Sequence, residues 1–85
     1  MNLSSPVTVY SSPGCHRCHL TVLAFRRLGV EPTVVDVSSD DGAAQRLRDA
    51  GHTELPVVTA GHRTWTGFRN DLIRETAGMM TSAVA

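Results

Sequence analysis

Both cysteines of this 85-residue chain lie in one short stretch, Ser12-Pro13-Gly14-Cys15-His16-Arg17-Cys18-His19-Leu20. Two thiols in C-x-x-C spacing with histidines beside them support three chemistries. They can cycle between dithiol and disulfide, supply half of a zinc site, or accept a haem through the C-x-x-C-H run. A purely structural disulfide is the weakest reading. A bridge between residues this close pins no long segment, and two cysteines cannot build the multi-bridge framework of a small secreted domain.

What the pair can do depends on the elements that present it. Val7-Thr8-Val9-Tyr10 is a β-branched and aromatic run closed by the turn formers Ser11-Ser12-Pro13-Gly14, and predicts a first strand. From His16 to Leu28 the apolar residues Leu20, Leu23, Ala24 and Leu28 recur at helical spacing, with Arg26 and Arg27 in the last turn and Gly29 as the stop. Cys15 therefore stands at the mouth of a first helix. Thr33 to Val37 predicts a second strand, and Ser39 or Asp40 caps a second helix over Ala43–Ala50 that ends at Gly51. Leu55 to Thr59 predicts a third strand entered through Pro56, and Ala60-Gly61 turns into a fourth, His62 to Trp65. A third helix over Asn70–Ala77 follows, with Leu72, Ile73, Thr76 and Ala77 inward.

The order β-α-β-α-β-β-α implies a right-handed parallel crossover followed by an antiparallel hairpin in the same sheet. The expected fold is an α/β, thioredoxin-like sandwich: a four-stranded mixed sheet with helices on both faces. A C-x-x-C beside a βαβ pattern is a cue for that fold. Residues 1–78 are expected to form one domain and 79–85 a flexible tail.

Composition sets the outer limits. With 41% hydrophobic and 19% charged residues the chain reads as a soluble globular domain. A chain this short buries only about 60% of its unfolded surface, so one modest core must suffice. Its formal net charge is zero, which leaves no basic field for nucleic acid or anionic lipid. Met1 to Pro6 has neither a basic nor an apolar targeting segment, and no run approaches the roughly 20 apolar residues that span a bilayer. The expectation is a cytoplasmic monomer with no nucleic-acid or membrane partner.

In that setting the thiols take different roles. Unpaired N–H groups and the macrodipole at a helix N-terminus lower a thiol's pKa, which makes Cys15 the nucleophile. Cys18, one turn further in, is the resolving thiol that attacks a mixed disulfide on Cys15. His16, Arg17 and His19 add protonatable or cationic groups around the pair, and read equally well as polar residues of an exposed first turn. His16 and Arg17 are the candidate modulators. Pro56 is expected to follow a cis bond, leaving the Leu55 backbone free to pair with an extended substrate. An ordinary edge-strand proline is the plainer alternative. The redox group is then the Cys15–Cys18 pair itself, with no bound cofactor and no metal.

The other two chemistries stay open on the motif alone. A haem would use His19 with Met79 or Met80 as the distal ligand, but the motif sits between a strand and a helix of an α/β chain. A zinc ion would need two of His16, His19, His52 and His62 beside the cysteines, and no second close ligand pair exists.

The motifs VTVYSSPGCHRC, ELPVV and WTGFRNDLI together resemble the NrdH-redoxins, over Val7 to about Ala77. The last is the most specific, being similar to that family's W-[S/T]-G-F-R-P-D signature. The resemblance implies a glutaredoxin-shaped protein that behaves as a thioredoxin. It also implies that thioredoxin reductase re-reduces the chain and that a class Ib ribonucleotide reductase receives its electrons. Leu55, Pro56, Trp65, Gly67, Phe68 and Arg69 are the residues expected to meet substrate or partner. Glutaredoxins typically carry a basic residue before the dithiol and a Gly-Gly-x-Asp turn before the last helix, and both hold glutathione. Here Ser11 and Ser12 precede Pro13, and Gly67 is followed by Phe68 and the cationic Arg69, so a glutathione amine meets the wrong charge. A glutathione-dependent glutaredoxin is the alternative, since Asp71 lies close by. Two departures from the signature are His16-Arg17 inside the dithiol and Asn70 in place of proline.

Overall fold

In the computed structural model, which describes residues 6–84, the sheet is built outward from β1 (Val7–Ser11). Val7 and Val9 are fully buried while Thr8 and Tyr10 are half-buried on the other face, the period-2 alternation of a strand covered on both sides. β1 pairs parallel with β2 (Thr33–Asp36), from Thr8 opposite Thr33 to Ser11 opposite Asp36. It pairs antiparallel with β3 (Val57–Ala60), from Val7 opposite Ala60 to Tyr10 opposite Val57. β3 continues into β4 (Arg63–Thr66) through a tight turn in which Gly61 takes φ +63°, giving the sheet order β2-β1-β3-β4. The parallel pair needs a crossover, and α1 (His16–Arg27) supplies it. The expected mixed four-stranded sheet and element order are those observed.

α1 departs from expectation in the face it buries. Its inward residues are Cys18, Thr21, Val22 and Phe25, whereas Leu20, Leu23 and Leu28 remain 37%, 48% and 39% exposed. The helix carries two stripes at helical spacing, and the sheet takes the one containing Phe25. Thr21 fits that stripe because its hydroxyl donates to the Arg17 carbonyl at 2.8 Å, which removes most of the cost of burying it. Phe25 then joins Val7, Val9, Val58, Trp65 and Ile73 in the core, a burial that stabilises by roughly 1.5–3 kcal/mol. At the helix end, Gly29 at φ +84° lets its own N–H reach the Arg26 carbonyl (3.0 Å) and the Val30 N–H reach that of Phe25 (2.9 Å).

β2 stops one residue earlier than expected, at Asp36, whose carboxylate accepts from the Ser38 N–H and hydroxyl (2.9 and 2.6 Å). α2 spans Asp41–Asp49, beginning before the expected Ala43 because Asp40, of the two candidate caps, accepts from the Ala43 N–H at 3.0 Å. Ala43 is its one buried residue. Val57 and Val58 are both buried although they point to opposite faces of β3, so the sheet is covered on both sides. α1 and the last helix, α3 (Asn70–Val84), take Val58's side, where Phe25 and Ile73 join its cluster, while α2 lines a cleft with Val37 and Leu55.

α3 runs Asn70–Val84, well past the expected end at Ala77. Gly78 lowers helix propensity by about 1 kcal/mol relative to Ala but does not take the positive φ that ends α1 and α2, and the helix passes through it. Met79 to Val84, placed in the expected flexible tail, continue α3 as helix, and the expected boundary after residue 78 falls inside that element. The other ends of those expectations, residues 1–5 and Ala85, lie outside the described residues.

Candidate active site

β1 delivers the chain to a turn closed by the Cys15 N–H on the Ser12 carbonyl at 3.1 Å. Cys15 then takes extended φ and ψ and becomes the N-cap of α1. Its Sγ accepts from the Cys18 N–H at 3.2 Å, so a backbone donor of the first turn is aimed at the sulfur. On reduction the same donor favours thiolate over thiol at Cys15. Cys15 is half-buried and Cys18 wholly buried; the two are joined as a disulfide with Cα atoms 5.2 Å apart. One sulfur can meet a bulky substrate and the other can meet only Cys15.

Two contacts hold the pair from behind. The Tyr10 carbonyl lies 4.0 Å from Cys18 Sγ, positioned to accept from its thiol once the disulfide opens. His19 Nε2 lies 3.2 Å from the Pro13 carbonyl, and because that oxygen only accepts, Nε2 carries a hydrogen. His19 thus fastens the turn to the first turn of α1, a role its place in the C-x-x-C-H run did not suggest. His16 and Arg17 project from the exposed side of that turn. Ser11, Thr21 and Thr76 are the buried polar residues among those described, so no buried carboxylate stands by to take the Cys18 proton.

The sheet register brings the other segments to the dithiol. Tyr10 is paired with Val57, which follows a cis Leu55–Pro56 bond, as expected. Pro56 is buried, and half-buried Leu55 precedes the β3 ladder with its backbone outside the paired stretch. The Gly67 N–H donates to the Pro56 carbonyl at 2.9 Å, with Gly67 at φ +86°. This bond ties the segment after β4 to the proline. No short-range pattern announces it, though the glycine was the available sign.

Trp65, one of the residues expected to meet substrate or partner, takes the inward position on β4. It is 8% exposed and its ring packs in the core, so it reaches the surface only by fixing Gly67 and Phe68 behind it. Its indole is large and mostly apolar, and on β4 the inward position buries it, the Nε1–H included, without a hydrogen-bond partner among the described residues. Phe68 stays 37% exposed. Arg69 does not point freely at a ligand: its Nε and Nη2 grip Asp71 at 3.2 and 3.0 Å. The Arg69 hydrogen bond holds the Asp71 carboxyl below its usual range, and Asp71 in turn raises the guanidinium's pKa.

The alternative chemistries find less to work with. Among the described residues no three His, Cys, Asp or Glu side chains converge as metal ligands. His52 lines a cleft beside α2 and His62 sits in the β3–β4 turn, each apart from the cysteines. No helix among the described residues is long and apolar enough to cross a membrane.

A four-stranded mixed sheet with a C-x-x-C disulfide capping its first helix and a cis proline beside it defines a thiol–disulfide oxidoreductase of glutaredoxin shape. Residues 7–65 match the glutaredoxin family. The glutaredoxin-like protein NrdH of Salmonella typhimurium strain LT2 is 42% identical over 67 residues, 79% of this chain and 83% of that one. Its Escherichia coli K12 counterpart is 39% identical over the same shares. The solved structure of NrdH-redoxin from Escherichia coli superposes with a TM-score of 0.79 at 38% identity, covering 81% of this chain and 91% of that one. The chain belongs to the NrdH-redoxins, within the glutaredoxin-like proteins.

Proposed function

We propose that this redoxin takes electrons from an NADPH-dependent thioredoxin reductase and passes them to protein disulfides, those of a class Ib ribonucleotide reductase foremost. It works as a cytoplasmic monomer, and its redox group is the Cys15–Cys18 pair with no further cofactor. The Cys15 thiolate attacks one sulfur of the substrate disulfide, that S–S bond breaks, and the other sulfur leaves as a thiolate that takes a proton from water. Cys18, its proton passed to water, then attacks Cys15 Sγ in the mixed disulfide and releases the second substrate thiol. The pair ends oxidised and the substrate gains two electrons and two protons. Leu55 offers its backbone to the extended substrate segment beside Pro56, Phe68 offers apolar surface, and His16 and Arg17 tune Cys15.

The observation that carries the choice of reductant is the Arg69–Asp71 pair. Asp71 is the carboxylate available to a glutathione amine, and the Arg69 guanidinium already occupies both of its oxygens. Glutathione must displace a two-point ion pair and then meet the freed cation, while a protein reductase needs no carboxylate there. The solved NrdH-redoxin of Escherichia coli is described as glutaredoxin-like with a thioredoxin-like activity profile, which supports the same reading.

The test is NADPH oxidation with a protein disulfide as acceptor, driven once by thioredoxin reductase and once by glutathione with glutathione reductase. Turnover is expected with the first and at least about tenfold less with the second. Turnover with the glutathione system alone overturns the proposed electron source.

A further inference from the structure

Four of the six large apolar side chains left exposed among the described residues gather in one place: Leu20 and Leu23 on α1, Leu28 at its C-cap, and Phe68 just before α3. They line a groove of about 370 Å³ together with Ala24, Asn70 and the two arginines Arg27 and Arg74. The stripe on α1 that the sheet does not take is thus a surface feature of its own. Scattered apolar residues need no explanation, but a contiguous strip with charged margins marks an interaction site.

The charges identify the occupant. α1 contains no acidic residue, and both acids of α3 are already engaged, Asp71 by Arg69 and Glu75 by Arg63. Glu31, beyond the end of α1, is held by Arg26. Arg27 and Arg74 are therefore left as cations without an acid from the described residues, lining a largely apolar groove on a chain whose formal net charge is zero. A second copy of the chain docked across a two-fold axis would set these arginines against themselves. One end of the groove is near the dithiol along the chain and through one bond: Leu20 is two residues past Cys18, and Phe68 follows Gly67, whose N–H donates to the Pro56 carbonyl.

We infer that this groove docks an acidic amphipathic segment of the partner protein, its Leu or Phe side chains on the apolar lining and its Asp or Glu side chains on Arg27 and Arg74. The inference rests on the reading that the partners are proteins. Docking here holds a partner beside the dithiol without engaging the sulfurs, and so raises affinity independently of the chemistry. It separates partners that carry such a segment from disulfides that do not.

The probe is a synthetic peptide of about 15 residues with Leu and Glu at helical spacing, titrated into the full isotope-labelled chain and followed by NMR. Shifts are expected along Leu20 to Leu28 and at Phe68. Replacing every Glu of the peptide by Lys is expected to weaken binding at least about tenfold, as are Arg27→Glu with Arg74→Glu, and Leu23→Ser, in the chain. Reduction of a small aromatic disulfide by each dithiothreitol-reduced variant should match wild type, showing that the fold and the dithiol are intact. Equal affinity for the Glu and Lys peptides overturns the inference on the wild-type chain alone. So does a sedimenting dimer that Leu23→Ser dissociates, which would make a second copy the occupant. Loss of thioredoxin-reductase turnover in wild type with peptide binding retained would instead sink the proposed function and leave the groove standing.

Discussion

Cys15 and Cys18 differ in what surrounds them more than in what they are. Cys15 caps α1 with a backbone N–H on its sulfur, while Cys18 is sealed from solvent and faces a carbonyl. Cys15→Ser is therefore expected to abolish turnover, whereas Cys18→Ser should accumulate a mixed disulfide on Cys15 that mass spectrometry detects as an added partner chain. Activity equal to wild type in both variants contradicts the division of roles. Arg69 and Asp71 carry a second, independent prediction. Because the Arg69 hydrogen bond depresses the Asp71 pKa, the pair's stabilising contribution is fully present above the ordinary carboxylate range and is lost as pH falls through the lowered value. Arg69→Ala should move the Asp71 carboxyl up toward the ordinary carboxylate range, read from its carbon shift during an NMR titration. The same variant should gain activity with glutathione, since the carboxylate is freed. A titration midpoint that stays put means the pair does not form in solution.

At the scale of elements, α1 decides both the core and the surface. Phe25→Ala removes a wholly buried ring from the main cluster and is expected to cost about 3–5 kcal/mol, enough to unfold much of a domain this small. Leu23→Ala, two residues away and 48% exposed, should stay within about 1 kcal/mol in urea unfolding. Equal losses at the two positions would mean the helix is rotated. That rotation is where the sequence was least legible. Leu20, Leu23, Ala24 and Leu28 make the stronger apolar stripe by residue type, and only the sheet's contact with Cys18, Thr21, Val22 and Phe25 reveals which one is inward. Other features were legible because they are local. A Pro-Gly turn before a periodic run placed Cys15 at a helix mouth, and alternation with tight turns gave the strands and their order. Gly29 and Gly51 ended their helices by adopting the positive φ that glycine permits. Gly78, the same residue type, did not end α3, because what stops a helix is the conformation taken and not the residue that allows it. The tie from Gly67 to Pro56 is made through the folded chain and spacing alone carries no record of it, whereas the grip of Arg69 on Asp71 is local, two residues apart, and is settled by which rotamers the side chains take.

For the molecule as a whole, charge and fold are nearly decoupled. Among the described residues the three ion pairs, Arg26–Glu31, Arg63–Glu75 and Arg69–Asp71, all have side chains between 34% and 68% exposed, and none bridges the core. Exposed pairs of this kind contribute little and are screened as the Debye length falls from about 10 Å at 0.1 M salt to about 3 Å at 1 M. The core that holds β1, β3, β4, α1 and α3 together is apolar and insensitive to such screening. The melting temperature is therefore expected to change by less than about 4 °C between about 0.05 M and about 0.5 M sodium chloride. Recognition should behave in the opposite way, because Arg27 and Arg74 attract an acidic segment through water before any apolar surface is buried. Over the same salt range the affinity for the Glu-bearing peptide should fall at least about fivefold, chiefly through a slower association rate. A large salt-dependent loss of stability would show that the surface pairs hold the fold. Peptide affinity indifferent to salt would show that the groove selects by shape and apolar contact, with its two arginines as bystanders.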